Sequence, residues 1–162
     1  MIVKSIAILN EIGLRLENIS QANGYSFDIN KIVRSAVNEF SGDDLPIIFY
    51  RGENDTLVQN QTHNEERLMI VTITGFARTR DYALIDQAYK FGADIHAAIN
   101  RFSKSPQLLD DIDLDLGCLI EALDVREIVP IVGTGDQPFY GVEVVSEVKY
   151  NIQPGIMYID EP

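Results

Sequence analysis

The sequence has few basic residues, with 13 Lys and Arg against 25 Asp and Glu and a formal net charge of −12. A surface of this sign repels phosphate backbones, so nucleic-acid binding would require a local basic stripe. Arg78 and Arg80 are the only close pair of basic residues. We therefore reject sequence-specific nucleic-acid binding. The charge suits a surface past which nucleic acid slides without sticking.

Cysteine and long apolar runs are also scarce. Cys118 is the single cysteine, so no internal disulfide is expected, and its apolar neighbours predict an inert, buried thiol. No segment reaches the roughly 18 to 20 uninterrupted apolar residues of a membrane-spanning helix. Asn10, Glu11 and Arg15 interrupt the apolar N-terminus too early for a secretory signal. We expect a protein that is made and folds in the cytoplasm, without membrane contact.

The first half of the chain predicts one helix and three strands. Residues 1–22 read as an amphipathic helix that Asn23-Gly24 closes. Strands are predicted over 29–37, 45–51 and 68–76, the last from its alternating apolar residues. Residues 52–67 are polar and irregular, which predicts a long surface loop of the kind that often carries function.

The second half predicts another helix and a hairpin. Thr79-Arg80-Asp81 is the predicted start of the helix, and its apolar stripe repeats at three and four residues up to Phe102. Residues 118–132 and 139–150 read as strands joined by turn residues 133–138. The order α-β-β-β-α-β-β in a chain of 162 residues predicts a single α+β domain, residues 1–162. Its sheet should be mixed and mostly antiparallel, with two helices packed on one face.

No residue pattern predicts catalysis, a metal or a cofactor. The acidic run 110–115 lacks the glycine and glutamate spacing of a calcium loop. His63 and His96 lie in different elements without a zinc or nucleophile motif. Gly133-x-Gly135 lacks the third glycine of a dinucleotide site. Glu143 and Glu147 are predicted on the outward face of a strand as solubilising residues. We therefore predict that the chain is not an enzyme.

Several short sequence segments, which we call phrases, resemble in their order along the chain the tail terminator (tail-completion) proteins of long-tailed bacteriophages. These phrases are Ala22-Asn23-Gly24, Ile32-Val33-Arg34, Asp44-Leu45-Pro46-Ile47-Ile48, a strand over 68–75, Ala93-Asp94-Ile95-His96-Ala97-Ala98-Ile99, and Val148-Lys149-Tyr150 followed by Pro154. The resemblance covers most of the chain and consists of element order and phrase order. It implies a structural subunit of the virion, located in the phage tail or neck.

The resemblance further implies a homo-oligomer, a hexameric ring on top of the finished tail tube. The ring stops tube growth by binding the tail tube protein, and it provides the surface to which the head and its connector or neck proteins attach. In contractile tails the tail sheath protein contacts the same ring. DNA passes through the lumen without specific binding. Such a ring is a heterologous, closed assembly, in which one patch binds a different patch on the next subunit.

Two groups of residues are candidate interface residues. Arg78 and Arg80 are predicted to pair with carboxylates of the next subunit, because an acidic ring must use its scarce cations; pairing within their own subunit, or solvent exposure, is the alternative. Residues 52–67 are predicted to become ordered on a partner, through Asn54, Asn60, His63 and Asn64. A mobile loop without contacts is the alternative there.

Two other functions stay open at this point. One is a small cytosolic α+β ligand-binding protein or enzyme. The other is a phage neck or head-completion protein of similar size.

Overall fold

The computed structural model describes residues 1–61, 63–79, 83–100, 119–133 and 139–159. Within these ranges the chain forms two α-helices, seven β-strands and two short 3-10 turns. The helices are α1 (Lys4–Glu17) and α2 (Leu84–Asn100). The strands are β1 (Ile2–Val3), β2 (Lys31–Val33), β3 (Ile47–Gln61), β4 (Asn64–Arg78), β5 (Ala122–Val132), β6 (Phe139–Ile152) and β7 (Tyr158–Ile159).

The main sheet has five strands in the order β2-β3-β4-β6-β5. Strands β2 and β3 run parallel, and every other neighbouring pair in this sheet is antiparallel. Strands β1 and β7 form a separate two-stranded antiparallel ribbon. The predicted α+β fold with a mixed, mostly antiparallel sheet is confirmed.

Both helices pack on one face of this sheet. Strands β4 and β6 alternate apolar and polar residues, so every second side chain points to the helices. Ile73 and Val144 are directly paired there, and neither side chain is exposed to solvent. Burying each such side chain contributes roughly 1.5–3 kcal/mol. The side of β3 that faces the helices, and the apolar sides of both helices, complete the core. These residues include Ile8, Ile12, Leu16, Ile48, Tyr50, Ala88, Phe91, Ile95 and Ala98.

A second, smaller apolar cluster lies on the opposite face of the sheet. Ile47, Phe49 and Phe76 are buried there, and Phe40 packs on them from the segment between β2 and β3. The Phe40 and Phe76 rings stack with centroids 5.0 Å apart. This segment covers part of that face.

The structure corrects the boundaries of three predicted elements. The first helix ends at Glu17, and Gly24, at φ 84°, instead closes a 3-10 turn over Gln21–Asn23. The predicted strand 29–37 shrinks to Lys31–Val33, because only these residues find a partner on β3. Thr79 lies outside α2, which begins at Leu84. Arg80, Phe102, the run 110–115, Cys118 and the turn residues 134–138 lie outside the described residues.

The largest correction concerns residues 52–67, which were predicted as an irregular loop. They form the distal halves of β3 and β4, a long hairpin whose pairing continues to Gln61 and Asn64. Local polarity misled the prediction, because this part of β3 exposes both faces and therefore lacks apolar alternation. Backbone hydrogen bonds to β4, which is itself paired with β6, hold it in place.

Candidate functional site

The predicted interface residues from 54 to 64 all lie on the β3–β4 hairpin. Asn60 and Asn64 belong to the last pairs before the turn, and His63 lies in the turn itself. Asn54, Asn60 and His63 are exposed, and Asn64 is half-buried. Sequence reasoning thus found exposed polar residues that the fold gathers on one arm, although it assigned them to the wrong kind of structure.

Asn54 marks a bend in that arm. Its φ of 50° lies in the left-handed region, which Asn tolerates better than most residues. The pairing of β3 with β4 shifts between Glu53 and Thr56, and again between Leu57 and Gln59. Such bulges turn an edge strand locally and re-aim its side chains.

A polar network joins the bent strand to β6. The Tyr150 hydroxyl donates a hydrogen bond of 2.6 Å to Asp55 Oδ2, and Arg67 Nε donates one of 2.9 Å to Asp55 Oδ1. Tyr150 is only 1% exposed, and burial, followed by the bond to Asp55, raises the pKa of its hydroxyl. Because Asp55 accepts from both neighbours, the hairpin is held in one orientation on the sheet. Sequence reasoning missed this network, since cross-strand register brings its members together.

Beyond its contact with β2, strand β3 is an open edge. Only Ile47–Phe49 pair with β2, and the outer side of the remaining residues meets no other strand among the described residues. Leu57 and Val58 lie on this edge and are 49% and 52% exposed. Unpaired edge backbone with exposed apolar side chains is a template for association with another chain.

A cleft of about 420 Å³ lies beside the hairpin turn, between it and the β1–β7 ribbon. Met1, Asn64, Ile152 and Tyr158 are among its lining residues. Lys4 also lines it, donating a hydrogen bond of 2.8 Å to the Asn151 carbonyl, and burial lowers the pKa of its ammonium group. The cleft thus combines apolar walls with amide groups.

Arg78 lies far from the hairpin turn. It occupies the other end of β4, 14 residues from Asn64, which is roughly 46 Å at about 3.3 Å per residue. Its guanidinium group covers Gly42 so closely that an added Cβ there would clash with Arg78 Nη2. Arg78 already has a partner within its own chain. The predicted interface residues therefore form two separate groups, and Arg80 lies outside the described residues.

The two histidines lie in different secondary-structure elements. His63 lies at the hairpin turn, and His96 is an exposed residue of α2. Among the described residues, no group of three or more His, Cys, Asp or Glu is placed to hold a metal ion.

Glu147 lies on the sheet face away from the helices and forms an ion pair with Arg126 at 2.6 Å.

No protein-family model matches the sequence, and a search of curated proteins finds no significant match. Within the described residues, none of the helices has both the length and the apolar character needed to cross a membrane.

Proposed function

We propose that this chain is a structural subunit of a long-tailed bacteriophage, a tail terminator that assembles into a hexameric ring. The ring would cap the tail tube, stop its growth and present the surface to which the head and its connector or neck proteins attach. In a contractile tail, the sheath protein would contact the same ring. The chain acts through contacts with other protein subunits rather than through catalysis.

The observation that carries the proposal is the position of the resembling phrases on the fold. Ala22-Asn23-Gly24 forms the turn after α1, and Asp44-Leu45-Pro46-Ile47-Ile48 leads into β3. The other phrases lie on β2, β4, α2 and β6, in the same order along the chain. The phrases thus fall on six successive parts of the fold, which supports the element order that the resemblance implies.

The surface supports an assembly role. Twelve large apolar side chains are exposed among the described residues, and they are spread over α1, the segment that follows β2, the hairpin, α2, the end of β5 and the surroundings of the β1–β7 ribbon. Apolar side chains on several sides of one subunit suit a ring, because each subunit must contact two neighbours and the tube below. The net charge of −12 suits a lumen through which DNA passes without being bound.

A second candidate function is binding of a small ligand, and the 420 Å³ cleft favours it. Its volume falls within the range of ligand pockets, roughly 300–1,000 Å³. A ligand-binding protein of this kind would need no ring. Sedimentation of the purified chain over a range of concentrations separates the two, because only the ring former shifts to a hexamer.

Deletion of the gene from the phage, followed by electron microscopy of the particles, tests the proposed function. We expect separate heads and tails, with tubes of uncontrolled length because nothing stops their growth. Separate tails of normal length would instead indicate a neck or head-completion protein. Joined, normal particles would overturn a role in assembly altogether.

A further inference from the structure

One lysine stands apart from the other cationic side chains. Lys90 is an exposed residue of α2, and no described residue forms a hydrogen bond or ion pair with it, including Asp86 one turn earlier. All other described Lys and Arg side chains have a partner within the chain, namely Lys4, Arg15, Lys31, Arg34, Arg51, Arg67, Arg78, Arg126 and Lys149. Among the cationic side chains that the structure describes, Lys90 is therefore the one that remains available to another subunit.

Lys90 lies beside two exposed apolar residues of the same helix. Ile85 and Tyr89 are one turn apart and are 53% and 50% exposed, so they are neighbours on the helix surface. Lys90 directly follows Tyr89 and lies about 100° further round the helix; we call Ile85, Tyr89 and Lys90 together the α2 outer patch. Aromatic residues are enriched at protein interfaces, where they contribute large contact area. The patch therefore has both an apolar part and a charge.

A carboxylate without a partner lies on the other side of the sheet. Glu143 is half-buried and forms no hydrogen bond or ion pair with any described residue. It lines a pocket of about 230 Å³ together with Ser35, Val37, Arg51, Thr72 and Thr74. The Arg51 guanidinium group forms its ion pair with Glu53 and not with Glu143. We call this site the Glu143 pocket.

The chemistry of the Glu143 pocket favours a cation. Arg51 lines the same pocket but is neutralised by Glu53. A half-buried carboxylate without an ion pair gains from an ammonium group brought within hydrogen-bonding distance. The hydroxyl groups of Thr72 and Thr74 line the same pocket and can accept further hydrogen bonds from it. A volume of about 230 Å³ is many times the roughly 10–15 Å³ that one water molecule requires, which leaves room for the end of a lysine side chain.

The α2 outer patch and the Glu143 pocket cannot meet within one chain. Helix α2 covers β5 and β6 on the helix face, whereas the pocket opens on the opposite face, beside the segment that follows β2. Two complementary sites on opposite sides of a molecule join successive copies head to tail. Repetition of such a contact closes a ring when the rotation between copies allows it.

We propose that Lys90 of one copy inserts its ammonium group into the Glu143 pocket of the next copy. Ile85 and Tyr89 then pack on the rim of the pocket, where Val37 is exposed. The inference rests on the proposed ring function, which it deepens by naming the contact between subunits. Arg78 and Arg80 stay as a separate predicted contact.

A charge exchange tests the pairing. Sedimentation velocity at matched concentrations would compare the wild type, Lys90→Glu, Glu143→Lys and the double exchange. Each single reversal should weaken the contact between subunits about tenfold or more, as loss of a close charge pair between proteins does. The double exchange should restore most of the hexamer, because the two charges are again opposite.

A matched control uses another acidic residue of the same sheet face. Glu127 is exposed on β5 and forms no ion pair with a described residue. Lys90→Glu combined with Glu127→Lys has the same net charge as the double exchange, yet it should not restore the hexamer. Glu143→Gln removes the charge with little change in shape, and its circular dichroism and melting curve show whether the fold is kept.

The outcomes separate the two proposals. A wild-type hexamer that survives Glu143→Lys and Glu143→Gln would overturn this inference and leave the proposed function standing. A hexamer lost on Lys90→Glu but not on Glu143→Lys would also overturn the pairing. A chain that remains monomeric, alone and on tube ends, would overturn both. Recovery of the hexamer by the double exchange, and not by its control, would establish the contact.

Discussion

Strands β4 and β6 differ from the outer half of β3 in what stabilises them. In the centre of the sheet, Val71, Ile73, Val142 and Val144 are fully buried beneath the helices. From Thr56 to Asn60, β3 is exposed on both faces, and its bonds to β4 and the Asp55 network hold it in place. The centre is thus stabilised by burial, and the hairpin arm by pairing. A strand of the second kind leaves its side chains available for contact with other molecules.

The largest expected effect comes from the centre of the sheet. Ile73→Ala should lower the free energy of unfolding by about 2–5 kcal/mol, because it leaves a cavity between the helices and the sheet. Leu57→Ala, on the exposed edge of β3, should change it by about 0.5 kcal/mol or less. Urea unfolding of both variants checks the comparison. Equal losses would show that the arm is as tightly packed as the centre.

The Asp55 network should show an intermediate effect. Asp55→Ala removes the carboxylate that accepts from Tyr150 and Arg67. The buried Tyr150 hydroxyl then loses this acceptor, whereas Arg67 keeps Glu65 at 3.8 Å. We expect a loss of about 1–3 kcal/mol in unfolding free energy. Tyr150→Phe removes one bond and should cost less. If hydrogen exchange in residues 56–66 is not faster in Asp55→Ala than in the wild type, the network does not anchor the arm.

Ser146 is the polar exception within the apolar centre. It lies opposite Val71 on the helix face, is 1% exposed, and its hydroxyl has no hydrogen-bond partner among the described residues. An unsatisfied buried hydroxyl is destabilising, so Ser146→Ala should raise the free energy of unfolding by up to about 1 kcal/mol. Thermal and urea unfolding measure this gain. A loss of stability instead would indicate that the hydroxyl has a partner such as an ordered water.

The smallest effect on folding is expected at the hairpin turn. Replacing Asn60 and His63 together by alanine should change the unfolding free energy by about 0.5 kcal/mol or less, because both side chains are exposed. If the arm binds the tube or a neck protein, the same variant should nevertheless reduce incorporation into particles, as quantified by protein gels of purified virions. Lys31→Ala, at an exposed site on β2, is the control. Unchanged incorporation would remove these two side chains from the contact.

The candidate site was only partly predictable from the sequence. Asn54, Asn60, His63 and Asn64 were found because a polar stretch between two apolar strands indicates exposure, and they do lie together on the arm. Asp55, Arg67 and Tyr150 were not found, because Tyr150 is 95 residues from Asp55 in the chain. Glu143 was predicted as a solubilising residue and Lys90 was not singled out, since the absence of a partner is visible only when the neighbours are placed.

The sequence by itself determined the class of fold and its buried face. Apolar alternation in β4 and β6, and the apolar repeat of α2, each require only local periodicity, and each is borne out by the buried residues. Tertiary structure alone decided that residues 52–67 extend the sheet, because cross-strand hydrogen bonds stabilise a strand whatever its side chains. It also decided that Arg78 and the hairpin turn lie at opposite ends of β4, and that Glu143 is half-buried in a pocket. These facts depend on register and on which segment covers which face, and neither quantity is contained in local sequence.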